Sequence, residues 1–216
     1  IDRKHKKTTQ KFFMPQGFNA ILYEHDNNVE SEFILDCKES YDNRQYGRIY
    51  EIEEQENRII ITFTKKTDMK EDSSHDEEEY ELFVVLRDHG FHYTKIDKWI
   101  KRDYPLDNER STPQERFVYS ALKVKPKKLA IAFSTDRDKA IHDADFVFNN
   151  AKNLKKIESK YYSSLLKRKK KGAISKGFNS ARVALDQLLV KENSSNGIYA
   201  GLPWFFGFFG LGRSDH

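Results

Sequence analysis

Residues 58–64 read Arg-Ile-Ile-Ile-Thr-Phe-Thr, and this stretch decides the fold class. Side chains alternate across an extended strand, so Ile59, Ile61 and Phe63 fall on one face. The other face reads polar, as the solvated side of an antiparallel sheet should. The same kind of signal recurs on either side of it, as short apolar runs separated by polar, Gly, Pro or Asn/Asp punctuation. Toward the N-terminus the runs are 18–23, 31–37 and 48–53; toward the C-terminus they are 80–87, 91–94, 117–124 and 129–135. Seven or eight strands with no long helical segment between them predict a mainly-β chain built on an antiparallel β-sandwich.

The connections fit that reading. Residues 70–79 carry Glu71, Asp72, Asp76, Glu77, Glu78 and Glu79 between two strands. They read as a solvated hairpin loop; a cation site is the other reading, but the spacing and central glycine of an EF-hand are missing. Residues 104–115, with Pro105 and Pro113 and no apolar period, read as an ordered connection on one rim of the sandwich.

The period changes after Ser134. Thr135 or Asp136 can cap a helix, and Ala140, Ala144, Val147, Ala151, Leu154, Ile157, Tyr161 and Leu165 then recur every three or four residues. The basic run 167–171 and Gly172 suit the end of that helix. A second helix is expected over 175–191, burying Phe178, Ala181, Leu185, Leu188 and Leu189, with 193–197 breaking it. The expected division is therefore a sandwich domain over 1–134 and a helical segment over 135–216.

Composition narrows the function classes. Thirty-eight Lys and Arg against thirty-four Asp and Glu leave a net charge of only +4 among 216 residues, which does not point to a nucleic-acid protein. Basic clusters exist at 167–171 and at Arg3, Lys4, Lys6 and Lys7, but no RRM or OB signature accompanies them. The single cysteine, Cys37, excludes an internal disulfide framework and reads as a core thiol, which fits a reducing cytoplasm. No signal-peptide pattern and no run of eighteen apolar residues is present, so no membrane association is expected. Among the seven histidines only His89 and His92 are close in sequence, and in a strand-and-turn region they fall on opposite faces; no metal or other cofactor is expected. The chain begins at Ile1 and stops at His216, just after an apolar stretch, and apolar surface of that kind leads one to expect further chain to bury it.

That stretch is the least ordinary part of the sequence. Residues 198–216 read IYAGLPWFFGFFGLGRSDH, with Tyr199, Trp204, Phe205, Phe206, Phe208 and Phe209 among four glycines, followed by Arg213 and Asp215. Aromatic faces stack on the C–H faces of sugars, and an Arg with a carboxylate can hold adjacent hydroxyls. Composition alone favours the plainer reading, in which the aromatics are the start of a buried helix or hairpin. The segment Gly197, Ile198, Tyr199, Ala200, Gly201, Leu202, Pro203, Trp204, Phe205 and Phe206, with the Arg and Asp beyond it, resembles the opening of the (α/α)6 barrel in archaeal-type glycogen-debranching enzymes of the amylo-α-1,6-glucosidase-like kind and their glucoamylase relatives. Less specifically, 17–26 (GFNAILYEHD) and 104–110 (YPLDNER) are similar to segments of the N-terminal sandwich of such proteins.

The resemblance implies a supersandwich-like β-domain followed by two helices of an incomplete α/α barrel. It also implies a sugar subsite at the scissile bond involving Trp204, Phe205, Arg213 and Asp215. Here Ser214 separates the Arg from the Asp, which are adjacent in the family pattern. Inverting glycoside hydrolysis needs two carboxylates about 6.5–9.5 Å apart. In the family these lie downstream of the Trp-Phe segment, so the resemblance assigns no catalytic residue here. The expected partners are an α-glucan or oligosaccharide and either a C-terminal barrel subunit or a second copy. The alternative is a stand-alone polysaccharide-binding or protein-interaction module without catalysis.

Overall fold

The computed structural model describes residues 2–5, 8–26, 30–37, 47–66, 79–90, 92–108, 114–166, 173–192, 195–199 and 211–212. The elements are β1 (Asp2–His5), β2 (Thr8–Phe13), β3 (Ala20–His25), β4 (Ser31–Leu35), β5 (Arg48–Gln55), β6 (Arg58–Lys65), β7 (Tyr80–Arg87), β8 (Tyr93–Asp103), α1 (Pro105–Asn108), β9 (Glu115–Val124), β10 (Lys128–Ser134), α2 (Arg137–Leu165), α3 (Ala173–Leu188), β11 (Leu189–Glu192), β12 (Ser195–Tyr199) and β13 (Leu211–Gly212). Among the described residues no helix is long and apolar enough to cross a membrane.

The fold is the expected one in class: antiparallel sheets forming a β-sandwich, followed by the helices α2 and α3. The larger sheet has the order β1-β2-β3-β10-β7-β6-β5 and the smaller the order β4-β9-β8. They face each other across Tyr23, Ile59, Ile61, Val84, Leu86 and Leu129 on one side and Tyr119, Ala121, Leu122 and Val124 on the other. Each run read from the sequence is a strand. In addition, β1 and β2 extend the larger sheet, and β8 continues to Asp103, well past the expected end at residue 94.

The outer face of the larger sheet corrects the sequence reading. Ile60 is fully buried, along with Ala20, Leu22, Val85, Ala130 and Ala132, against Ala140, Ala144, Val147, Phe148 and Ala151 of α2. What reads as a solvated face is thus the seat of a helix, and β6 is buried on both sides. Alanines on both surfaces let the helix axis approach the sheet closely, where larger side chains would hold it off.

Polar contacts fix the seat. Asp136, of the two capping candidates, caps α2: its Oδ1 accepts the Lys139 N–H at 3.1 Å and its carbonyl the Ala140 N–H at 3.0 Å. Asp145 accepts from Arg87 Nε at 2.8 Å and lies 3.0 Å from the Arg58 guanidinium, which ties β6 and β7 to the helix. The Phe148 ring lies under the Arg87 guanidinium at 4.9 Å and the Lys128 ammonium at 4.2 Å. Lys128 also donates to the Phe148 carbonyl at 2.6 Å, and burial pulls its pKa down. At the other sheet edge, Gly47 takes φ +66°, and a Cβ there would meet the Lys66 carbonyl oxygen at 2.2 Å. Only glycine fits where the Lys66 N–H donates to the Gly47 carbonyl at 2.7 Å, just ahead of β5.

Two compact units divide at Lys155/Lys156, inside α2. The physical reason is the burial of the first five turns of α2, which are part of the sheet's own core. Beyond them the helical stripe is exposed at Ile157 and Tyr161. In the second unit Tyr161 donates to Asp186 of α3. The helix expected through residue 191 ends at Leu188, because 189–192 pair as β11 with β12 (Leu189↔Ile198, Val190↔Gly197), so 195–199 are a strand where a helix break is expected. The expected buried side of α3 is open: Phe178, Leu185 and Leu189 are exposed, as is Ala181, and Leu188 is half-buried. The acidic stretch 70–78, the basic run 167–171 and Gly172 lie outside the described residues.

The shared core predicts unequal costs. Ile60→Ala should destabilise the protein by about 2–5 kcal/mol, as buried isoleucine truncations do. Ile157→Ala, further along the same helix at an exposed position, should stay within about 0.5 kcal/mol. Urea unfolding of the two variants checks this, and equal losses would contradict the division of α2.

Candidate functional site

The sugar-subsite residues that the resemblance implies, Trp204, Phe205, Arg213 and Asp215, lie outside the described residues. The most elaborate arrangement of side chains among the described residues is on the sandwich, where β8 and β9 form a long antiparallel arm.

The arm is irregular at one point. Between the pairs Lys95↔Leu122 and Lys98↔Ser120, β8 has Ile96 and Asp97 where β9 has only Ala121. This is a bulge, and Asp97 sits in it with φ +52°. Aspartate tolerates that left-handed region better than most residues, at a cost of about 1 kcal/mol. The bulge turns the Asp97 carboxylate toward two donors, the Tyr119 hydroxyl at 2.7 Å and Lys95 Nζ at 2.7 Å. These bonds, Lys95 first and Tyr119 second, hold the Asp97 carboxyl below the usual carboxylate range. Burial and then the Asp97 carboxylate raise the Tyr119 phenol.

Two residues on, Trp99 pairs with Tyr119 and is 41% exposed. Its indole is nevertheless held on several sides. The Arg48 guanidinium lies over the ring at 4.5 Å from the centroid. Tyr50 meets it edge-on at 5.5 Å and Tyr119 at 5.6 Å, and these two tyrosines stack on each other at 4.3 Å and 4°. Behind Tyr50 the rings continue through Phe63 at 4.9 Å to Tyr80 at 5.9 Å, linking the surface indole to the core. Arg48, with a side chain only 1% exposed, is fixed by Asp36 at 3.2 Å and the Phe117 carbonyl at 2.9 Å. Its charge is compensated by the carboxylate, the carbonyl and the π-face.

Cys37 lies against the same cluster. Its N–H donates to the Tyr50 hydroxyl at 3.1 Å, and burial pushes its thiol up to about 11. The sequence reading expected a core thiol within a strand; Cys37 is half-buried and lies just past the end of β4, and its raised pKa makes it an inert thiol.

A second feature is an open, polar cleft of about 330 Å³ lined by Glu30, Glu54, His92, Tyr93, Thr94, Lys123 and Lys125. It lies at the start of β8, roughly 20 Å along the strand from Trp99 at about 3.3 Å per residue. Its charges are matched internally: Glu30 sits 3.2 Å from Lys125 and 3.6 Å from Lys123, and Tyr93 donates to Glu54 at 2.8 Å.

Among the described residues no group of three or more His, Cys, Asp or Glu side chains is placed to hold a metal ion. His89 packs its ring edge-on against Phe148 at 4.8 Å. His25, 7% exposed at the end of β3, has neither ring nitrogen hydrogen-bonded among the described residues. Burial lowers its pKa from the usual 6.5, with Asp26 opposing the shift.

The Trp99 arrangement was missed in the sequence because the bulge shifts the apolar phase, so that Ile96, Trp99 and Ile100 do not alternate and the strand reads as ending at residue 94. The signal available was a tryptophan within a run of charged residues.

No family model matches the chain, and no curated protein and no solved structure does so either.

Two measurements follow from these environments. The folded state prefers neutral His25, so its contribution to stability is full above the unfolded value of 6.5 and is lost as pH falls from there through the lowered folded value. The melting temperature should therefore drop as pH falls below the unfolded value of 6.5, and His25→Gln should flatten that part of the profile. An unchanged slope in the variant would show that His25 is not the group responsible. For Cys37, a rise from 9.0 to about 11 leaves roughly a hundredfold less thiolate near pH 8. Alkylation by iodoacetamide should be slower than for a free thiol by about that factor, and should accelerate on unfolding in urea.

Proposed function

We propose that this chain is the N-terminal, non-catalytic part of a glycogen-debranching α-glucosidase-like protein acting on α-glucans, with hydrolysis supplied by an α/α barrel that follows it or belongs to a partner. The observation that supports this reading best is the order of the architecture. An antiparallel sandwich passes through α2 into α3, the layout that the Gly197–Phe206 resemblance implies. The exposed apolar side of α3, with Phe178 and Leu185, also favours it, since apolar helix faces of this kind are normally covered by further helices.

In this reading Trp204 and Phe205 give a sugar ring a flat apolar surface, while Arg213 and Asp215 hold its hydroxyls. The general acid and base that inverting hydrolysis requires come from the barrel. A cytoplasmic location suits both the reduced Cys37 and an intracellular storage glucan. The second reading, a polysaccharide-binding module without a catalytic partner, is favoured by the exposed and firmly held Trp99 on the sandwich.

The 216-residue chain should be retarded by glycogen in affinity electrophoresis, release no glucose from an α-1,6-branched limit dextrin, and lose several-fold in retardation with Trp204→Ala. Identical mobility with and without glycogen would sink the α-glucan reading. Glucose release by the chain alone would sink its non-catalytic part.

A further inference from the structure

We propose that Trp99 is the floor of a sugar-stacking site on the sandwich that takes a pyranose ring of an α-glucan chain against its open indole face. The inference rests on the α-glucan reading only for the identity of the sugar; the site itself rests on the geometry of the arm.

Three observations carry it. First, Arg48 covers one face of the indole at 4.5 Å and is itself almost fully buried, so the 41% of Trp99 that is exposed belongs to the opposite face and the rim. Second, the ring is fixed before any ligand arrives. The guanidinium behind it and the edges of Tyr50 and Tyr119 beside it hold its orientation, so that binding costs little ordering. Third, the bulge places the Asp97 carboxylate beside the rings through the Tyr119 hydroxyl, at the expense of a left-handed aspartate. Strain and a bulge next to a fixed aromatic mark a position where the chain is re-aimed.

The chemistry of that face matches a sugar. A pyranose offers an apolar C–H face for the indole and a rim of hydroxyls for nearby polar groups. Asp97 and Lys95 can accept from and donate to such hydroxyls. No hydrogen bond among the described residues uses the indole N–H of Trp99. Phe117, 47% exposed and two residues from Tyr119 along β9, stands on the same side of the arm and offers a second ring to a neighbouring sugar.

The apolar area on offer is of sugar-ring size. Two aromatics bury about 150–250 Å² each at most, so their exposed parts amount to roughly 200 Å² together. A stable protein interface needs about 800 Å² on each side. Beside Trp99, Lys95 is paired with Asp97 and Lys101 with Glu115, so these two lysines are compensated within the arm.

The test uses the fact that the chain has two tryptophans, Trp99 and Trp204. In a ¹⁵N-labelled sample each gives one indole N–H signal, assigned with Trp204→Phe. Titration of the full chain with maltoheptaose should move the Trp99 signal saturably, and should still do so in Trp204→Ala. Trp99→Ala should weaken binding at this site by about three- to tenfold, the range expected for losing one aromatic contact. Trp99→Phe, which keeps a ring, should lose less and guards against a folding defect in the alanine variant. A shift confined to Trp204 overturns the Trp99 site and leaves the α-glucan reading standing. A shift confined to Trp99 supports this site and counts against the C-terminal subsite. Two unmoved signals overturn both.

Discussion

The two-sided burial of the larger sheet is the constraint on which the rest of the molecule depends. Its central strands β3, β10, β7 and β6 carry apolar side chains on both faces, so each face must be covered. The smaller sheet covers one side, and the first five turns of α2 cover the other. From this follow the alanine-rich contact between helix and sheet, the Asp136 cap that starts the helix just past the central strand β10, and the Asp145 clamp on Arg58 and Arg87. The division of the chain inside α2 has the same origin. A helix that completes a core cannot be separated from it, whereas its continuation beyond Lys155 has no share in that core.

The smaller sheet has a different task. Only its β9 side chains reach the inter-sheet core in number, while β8 keeps mostly exposed residues along its length. An arm paired on one side and free of core duties can hold a bulge, a left-handed aspartate and an open tryptophan without destabilising the sandwich. Arg48, through the Phe117 carbonyl and the Trp99 ring, and the stacked tyrosines bind that arm to the β5 edge of the larger sheet. A site built there is stiff, because its floor is continuous with Tyr50 and Phe63 of the core.

Much of the sandwich was legible in the sequence, and the exceptions have identifiable causes. Runs such as 58–64 and 80–87 carry dense apolar side chains, and their strand boundaries agree with β6 and β7 to within a residue. β1 and β2 went unread because Lys, Thr and Gln dominate them, and their pairing with β3 comes from a neighbour that local composition does not show. The helix ending early at Leu188 has a similar cause: 189–192 continue the apolar helical period, but hydrogen bonds to β12 won over it. The candidate sugar residues of the C-terminal segment were visible only through their resemblance to a family. Trp99, Arg48 and Asp97 could not be grouped in advance, because they come from two strands some fifty residues apart and meet through a bulge.

By itself, then, the sequence determined the mainly-β class, the order of strands followed by helices, the Asp136 region as a helix start and the lone thiol of Cys37, because each depends on periodicity or on local chemistry within a few residues. Only the tertiary structure decided that Ile60 lies under a helix, that α2 belongs half to the sheet, and that Trp99 is pinned by a buried arginine. Those outcomes depend on which surfaces meet across the core, and a side chain's neighbours in space are not written in its neighbours along the chain.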